Sequence, residues 1–414
     1  MHKIILLQDS KCKKGRDFVI IQKYGGSSVA TTEKIIQIAK KIIERKEFAK
    51  DIIVVVSAMG KNTDILIELS KGISLNPLDR ELDVLLSTGE QQTIALLSMA
   101  LNNLGCKAVS LTGVQARINT KGSHTRSSIV DIEEDVIKKY LKEGNVVVIA
   151  GFQGINQEGD ITTLGRGGSD TTAVALAAKF NCPCEIYTDV DGIYSIDPNV
   201  YKKASRIPKL SYDIGLEMTR LGAKVIDKRA LALGKKFGVP ICIGNSFKNE
   251  IGTIIGDDSM EELKVLSLVA DDSQIEVKIK NIPNKIDKLS NIFKILGKYD
   301  LDIGMTENNL TDKNLNISFI CSKEYTNLFS PIKKEIVRDI DRFVEVEVNN
   351  TTRVSIIGTG RINQAEVTSK IFDLIKDTNV KYKKLCTSEL SLSYFFEGGE
   401  IKELINGLAQ TFNL

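Results

Sequence analysis

Between Leu164 and Thr172 the chain reads Leu164-Gly165-Arg166-Gly167-Gly168-Ser169-Asp170-Thr171-Thr172, and an apolar run from Ala173 to Ala178 follows. A cation, glycines, a hydroxyl and a carboxylate stand together at the mouth of an expected helix. Glycine lets a ligand approach the backbone, and a helix N-terminus offers unpaired N–H groups and a positive dipole end to an anion. Arg166 can grip a carboxylate in fork geometry, and Asp170 can hold an ammonium group. An amino acid carries both charges. The same residues also suit a tight turn before a helix capped by Ser169 or Asp170.

Four further segments carry chemistry. Lys23-Tyr24-Gly25-Gly26-Ser27-Ser28 follows an expected strand and precedes a helix with Thr31 or Thr32 as cap. Glycine N–H groups there can form a concavity for phosphate, with Lys23 as a point charge. The spacing is neither that of a Walker A loop nor that of a Rossmann fingerprint. Ser57 and Thr63, where the second strand gives way to a helix, can donate to a phosphate or carboxylate. Glu90, in Ser87-Thr88-Gly89-Glu90, can bind a substrate ammonium or serve only as a first-turn carboxylate favoured by the helix dipole. In Tyr187-Thr188-Asp189-Val190-Asp191-Gly192-Ile193-Tyr194-Ser195-Ile196-Asp197-Pro198, Asp189 and Asp191 can reach a magnesium–nucleotide complex and the loop through Asp197 can border a purine. Asp-Gly and Asp-Pro are equally turn signals.

The elements that must position these groups change character along the chain. Phe18–Gln22, Ile52–Val56, Val146–Ala150 and Glu185–Asp189 read as buried strands. Thr32–Phe48, Glu90–Leu104, Thr171–Phe180 and Ile214–Phe237 read as helices, with Lys224 inside the last. Such alternation implies an α/β sandwich on a largely parallel sheet. After Asp257-Asp258-Ser259 the strands alternate apolar with polar: Ile275–Lys280, Leu315–Phe319 and Phe343–Val348. There, Asn291-Ile292-Phe293-Lys294-Ile295-Leu296 resembles Lys370-Ile371-Phe372-Asp373-Leu374-Ile375, each helix following a strand, which indicates two small β-α-β units.

Composition bounds the rest. The chain has 414 residues, a hydrophobic share of 42%, a charged share of 26% and a formal net charge of +3. That suits two or three globular domains. No basic tract is interleaved with aromatics and Trp is absent, so nucleic acid is not an expected partner. No stretch approaches membrane length, and the odd cysteine count without a Cys-x-x-Cys pair suggests structural thiols in a reducing cytoplasm. The chain has two histidines, His2 and His124. His124 is expected to be solvated in the polar Thr120–Ser128 loop. The chemistry should therefore use an already ionised nucleophile or no proton transfer.

Taken together, these motifs resemble the aspartokinases of the amino-acid-kinase superfamily. Lys23 to Ser28, Ser57 to Gly60, Thr88 to Glu90, Gly151-Phe152-Gln153-Gly154, Thr163 to Ala173 and Asp189 to Gly192 follow in the family's order, over residues from about 18 to 256. The doubled C-terminal unit resembles the family's tandem ACT domains. The resemblance implies a three-layer α/β sandwich of the amino-acid-kinase type followed by two ferredoxin-like (α+β) ACT domains. The expected division is an extension at 1–16, disordered or artefactual, a catalytic domain at 17–258, and ACT units at 264–345 and 346–414.

The resemblance further implies ATP-dependent phosphorylation of the L-aspartate β-carboxylate to 4-phospho-L-aspartate, first step towards lysine, threonine and methionine. Lys23 and Asp170 would be catalytic. Lys23, Tyr24, Gly25, Gly26, Ser57, Thr188, Asp189, Tyr194, Asp197, Pro198, Asn199 and Lys224 would bind ATP. Ser57, Thr63, Glu90, Arg166, Gly167, Gly168, Ser169 and Asp170 would hold aspartate. Mg2+ would come with the ATP phosphates, with no protein ligand assigned. Met305, Thr306, Glu307, Asn308, Thr387, Ser388 and Glu389 would bind an amino-acid effector, lysine first and threonine as the alternative, in a homodimer formed through the ACT domains or a tetramer of such dimers.

Three departures stand out. Lys23 lies further from the start than in relatives. Ser127-Ser128 replaces an Ala-Arg pair, leaving a substrate-side arginine missing or supplied by Arg126. Ile286-Asp287 and Ala365-Glu366 replace Pro-Gly in the effector loops, which adds negative charge where an effector carboxylate would dock. Two other readings remain. Glutamate and acetylglutamate kinases lack such a tandem region. A catalytically dead sensor would be favoured by loss of Lys23, Arg166 or Asp170, and all three are present.

Overall fold

The computed structural model describes residues 18–223, 225–248, 250–257, 264–310, 314–359, 364–378, 380–397 and 401–414. The Met1–Arg16 extension, Lys224 and the side chain of Met305 fall outside the described residues. The chain forms two compact units: residues up to Ser195 with Ser205–Glu262, and Ile196–Ala204 with Leu263–Leu414.

The first unit is built on an eight-stranded sheet. Its spatial order is Lys209–Leu210, Ile251–Ile255, Ile241–Asn245, Cys184–Thr188, Val19–Tyr24, Asp51–Val56, Val146–Ala150 and Ala108–Leu111. All neighbours are parallel except Ile241–Asn245 against Ile251–Ile255. The central strands read as near-continuous apolar runs because helices cover both faces. On one face, Ile20, Ile52, Val54, Val56, Val146 and Val148 pack against Ile35, Ile38 and Ile42 of helix Thr32–Lys46 and Ile94, Leu97 and Leu101 of helix Asp79–Asn103. Thr31 caps the first of these helices by accepting from Lys34 N. Helix Gly168–Phe180 packs against the strands Val19–Tyr24 and Asp51–Val56. A small four-stranded sheet, containing Gln153–Ile155 and Ile161–Thr163, leads into the glycine-rich segment.

Two helices differ from the sequence reading. The helix expected from Glu90 starts at Asp79. Pro77 precedes it, and Asp79 and Glu81 in the first turn favour the dipole. The single helix expected over Ile214–Phe237 is two, Tyr212–Arg220 and Lys228–Phe237. Gly222 turns the chain at φ +95°, and Asp227 restarts a helix by accepting from Arg229 N and Ala230 N.

The second unit is an antiparallel six-stranded sheet in the order Gly304–Leu310, Asn314–Ser322, Lys264–Pro283, Glu345–Thr359, Ser391–Glu397, Tyr382–Thr387. Helices Ile286–Lys298 and Phe329–Asp339 pair, as do Gln364–Lys376 and Lys402–Thr411. Ile292, Ile295 and Leu296 enter one core, and Ile371 and Ile375 the other. The repeat seen in the sequence thus places equivalent helical faces over equivalent strands, an α+β arrangement of the ferredoxin-like kind. The Ile196–Ala204 segment belongs to this unit, with Ile196, Tyr201 and Ala204 packed on its second core.

Candidate active site

The central strands end in register, Tyr24 opposite Val56 and Tyr187, and Val56 opposite Ala150. The loops after them therefore open along one edge of the sheet, where parallel α/β folds bind ligands. Strand parity turns Lys23 away from the face that holds Ile20 and Tyr24 and towards helix Gly168–Phe180. The first turn of that helix carries Asp170. Lys23 Nζ lies 2.7 Å from Asp170 Oδ1, their side chains 10% and 15% exposed. Beside them, Ser57 Oγ is 2.8 Å from Ser169 Oγ. The two segments are thus one site.

Close backbone approach explains two glycines here. A Cβ on Gly26 would fall 2.7 Å from Ala58 O, so the loop admits no side chain. A Cβ on Gly167 would fall 2.2 Å from Asp227 Oδ2, and Gly167 sits at φ +71°. Gly167 is also the N-cap of the helix, without a side-chain cap bond. The expectation that Ser169 or Asp170 caps it is corrected. Both lie inside the first turn, beyond the position from which a side chain can fold back onto the first N–H groups. Asp227 accepts from Thr171 Oγ1 at 3.0 Å while capping its own helix. Arg166 is exposed, its carbonyl accepting from Arg229 Nη2 at 2.9 Å. Gly168 is buried in the opening turn, and Thr63 lies half-buried in the first turn of helix Asn62–Ile73.

Glu90 is not a first-turn carboxylate. The earlier helix start places it mid-helix and buried. Its Oε1 accepts from Ala58 N at 2.9 Å, while Oε2 is buried with no hydrogen-bond partner among the described residues. Burial pushes its carboxyl up to about 7, against the pull of the Ala58 N–H. A buried oxygen left unpaired is costly, and a cationic ligand group would satisfy it.

On the other side of Lys23, Gly25 N donates to Tyr187 O at 3.3 Å and Tyr24 stacks on Tyr187. Thr188 Oγ1 donates to Asp189 Oδ1 at 2.8 Å, and Asn245 Nδ2 to Asp189 O at 2.9 Å. Tyr194 donates to Asp191 at 2.6 Å, a bond that holds the Asp191 carboxyl below its ordinary value. Asp197, Pro198 and Asn199 stand in the Ile196–Ala204 segment of the second unit, where Asp197 Oδ1 accepts from Asn199 N.

Sequence reasoning missed three groups. Lys41 donates to the carbonyls of Asn245, Ser246 and Lys248 at 2.7, 3.2 and 2.7 Å and lies 3.8 Å from the centre of the Tyr187 ring. Burial pulls its ammonium down to about 8. Asp83 is wholly buried and accepts from His124 Nδ1 at 2.8 Å. His124 is therefore not a solvated loop histidine; its side chain is 23% exposed. Only the spacing Asp83, Ser87, Glu90, polar residues on one helical face, signalled this in the sequence.

In the second unit, Thr306, Glu307 and Asn308 lie on strand Gly304–Leu310, and Thr387 ends strand Tyr382–Thr387 just before Ser388 and Glu389. These strands are opposite edges of the sheet. Lys384 Nζ nonetheless stands 3.4 Å from Glu307 and 3.3 Å from Glu276. A depression there is lined by Lys278, Lys280, Glu307, Asn308, Asn309 and Ser318.

A largely parallel sheet with a lysine, paired glycines and a buried carboxylate at its strand ends is an α/β arrangement of the amino-acid-kinase type. Residues 18–245 match the amino acid kinase family. Aspartokinase from Bacillus sp. (strain MGA3) is 40% identical over 413 residues, covering 96% of this chain and 97% of that protein. E. coli aspartokinase III in complex with aspartate and ADP shares the fold at a TM-score of 0.77 and 21% identity, covering 96% of this chain and 100% of that one. The same enzyme in complex with lysine and aspartate gives 0.74 and 21%, over 95% and 99%. The chain belongs to the aspartokinase family.

The geometry predicts two outcomes. The raised Glu90 carboxyl favours the fold below its ordinary value of 4.5, and that contribution is lost as pH rises through about 7. Ligand-free Glu90→Gln should thus match the parent at pH 5 and exceed it by about 1–3 kcal/mol at pH 8–9, read from denaturation midpoints. Gly167→Ala, which drives a methyl into Asp227 at a left-handed φ, should cost about 1–3 kcal/mol by the same measurement.

Proposed function

We propose that this chain transfers the γ-phosphoryl group of ATP to the β-carboxylate of L-aspartate, giving 4-phospho-L-aspartate and ADP. The observation that carries the reading is the Lys23–Asp170 contact beside Ser57 and Ser169, with a buried and unsatisfied Glu90 oxygen on the adjoining helix Asp79–Asn103. The relatives named aspartokinase, and the aspartate and ADP held by the E. coli enzyme, support the choice of substrates.

The residues suit each step. Arg166 takes the α-carboxylate at the exposed rim. Glu90 takes the α-ammonium, becoming ionised as its missing partner arrives. That leaves the β-carboxylate to face Lys23, already ionised at neutral pH and needing no general base. Lys23 and the Gly25 and Gly26 N–H groups neutralise charge on the transferring phosphoryl group, so catalysis is positioning and electrostatic stabilisation. Asp170 holds Lys23 in place before the nucleotide arrives and orients the substrate. Thr188, Asp189 and Tyr194 form the nucleotide side. Magnesium bound with the phosphates would supply further positive charge and would draw its ligands mostly from phosphate oxygens and water, with no protein ligand assigned.

The second unit suits regulation by an amino acid. Lysines 278 and 280 can meet an effector carboxylate, and Glu307, Asn308 and Asn309 its ammonium groups. Lysine, held by the E. coli enzyme, is the effector we assign, in a homodimer formed through the ACT units and working in the cytoplasm.

Trapping the acyl phosphate as hydroxamate with ATP, magnesium and aspartate tests the reaction. Turnover with aspartate, and none with glutamate or without substrate, is expected. Lys23→Ala should lower kcat by about 10^2-fold or more with the circular dichroism spectrum retained. Millimolar lysine should depress activity and shift the melting temperature; if lysine, threonine and both together change neither, the regulatory assignment fails.

A further inference from the structure

The Asp83 carboxylate sits inside the first unit with no exposed surface, yet it makes a fan of contacts to two segments remote in sequence. Its Oδ2 accepts from His124 Nδ1 at 2.8 Å, both oxygens lie 3.0 Å from Thr125 N, and Oδ1 accepts from Thr163 Oγ1 at 2.5 Å. A buried carboxylate so fully bonded is held in one place, and it holds its donors in turn.

What it holds is strained. Thr125 is β-branched and stands at φ +65°, a region that such residues enter only when their surroundings force them. Its carbonyl comes so close to Gly165, itself at φ +74°, that a Cβ there would fall 2.9 Å from Thr125 O. Gly165 is the residue before Arg166. From the other side, Thr163 stands two residues before Gly165, and its carbonyl accepts from Ser127 N at 3.0 Å. Asp83 therefore ties the loop that presses on Gly165 to the strand that delivers Gly165. On the same face of its helix, the Ser87 carbonyl accepts from Gln153 Nε2 and Glu90 accepts from Ala58 N, both at 2.9 Å.

We infer that Asp83 is a positioning residue for substrate binding: through His124, Thr125 and Thr163 it sets the backbone path of Gly165-Arg166, and so the aim of the Arg166 guanidinium. It does not touch the nucleotide side of the site. The inference rests on Arg166 binding the substrate α-carboxylate, as proposed above.

Kinetics and hydrogen exchange of the full chain test it. Asp83→Asn removes acceptor capacity at nearly constant volume. KM for aspartate should rise tenfold or more while KM for ATP stays within twofold. Amide exchange should quicken in residues 123–127 and 164–168 and stay unchanged in 51–60. Glycine takes φ +65° without strain, so adding Thr125→Gly to Asp83→Asn should recover most of the aspartate affinity, which a merely structural role would not yield. Equal rises in both KM values with no recovery overturn the inference. If Asp83→Asn does not fold, Thr163→Val and His124→Ala carry the same measurements, and unchanged KM for aspartate and unchanged exchange in both overturn it. If the parent makes no hydroxamate with aspartate, the proposed function fails first; exchange in 123–127 and 164–168 still decides whether Asp83 holds this path.

Discussion

The contact between Lys23 and Asp170 organises the first unit. An ammonium and a carboxylate this shielded each require the other, because either one alone would leave an uncompensated charge in a poorly solvated place. The pair dictates that the strand ending at Tyr24 and the helix starting at Gly168 approach end to end, and the glycines on both sides let the backbones come that near. The pair also lets the two segments meet without a ligand, Asp170 holding the Lys23 ammonium at 2.7 Å.

Helix Asp79–Asn103 is the second support. One stripe of it is polar and buried, with Asp83, Ser87 and Glu90 each reaching a different ligand-side segment. Two of these contacts are satisfied inside the protein and one, at Glu90, is left half open. The satisfied ends fix geometry, and the open end leaves a buried carboxyl oxygen without a partner among the described residues.

The motifs carrying the chemistry were legible because each is local: cation, glycines, hydroxyl and carboxylate lie within a few residues of a strand end or helix start. The buried strands were legible for a similar reason, since helices on both faces leave an almost unbroken apolar run. The break at Gly222 to Asp227 was missed although glycine stop and Asp start signals are both present, because the apolar periodicity on each side bridges them. The roles of Asp83, His124 and Lys41 were missed for a different reason. The partners of Asp83 lie about 40 and 80 residues away and those of Lys41 about 200, and a polar stripe on a helix marks a face without naming such partners.

By itself, the sequence determined the alternation of buried strands and helices, the doubled C-terminal unit, and the family to which the ordered motifs point. Those follow from local propensity, apolar period and short-range spacing. Only the tertiary structure decided that Lys23 faces Asp170, that Glu90 is buried with one oxygen unpaired, and that Asp83 grips a strained threonine behind Arg166. Such facts depend on which strand face meets which helix, and burial across long sequence separations is a property of packing rather than of any single segment.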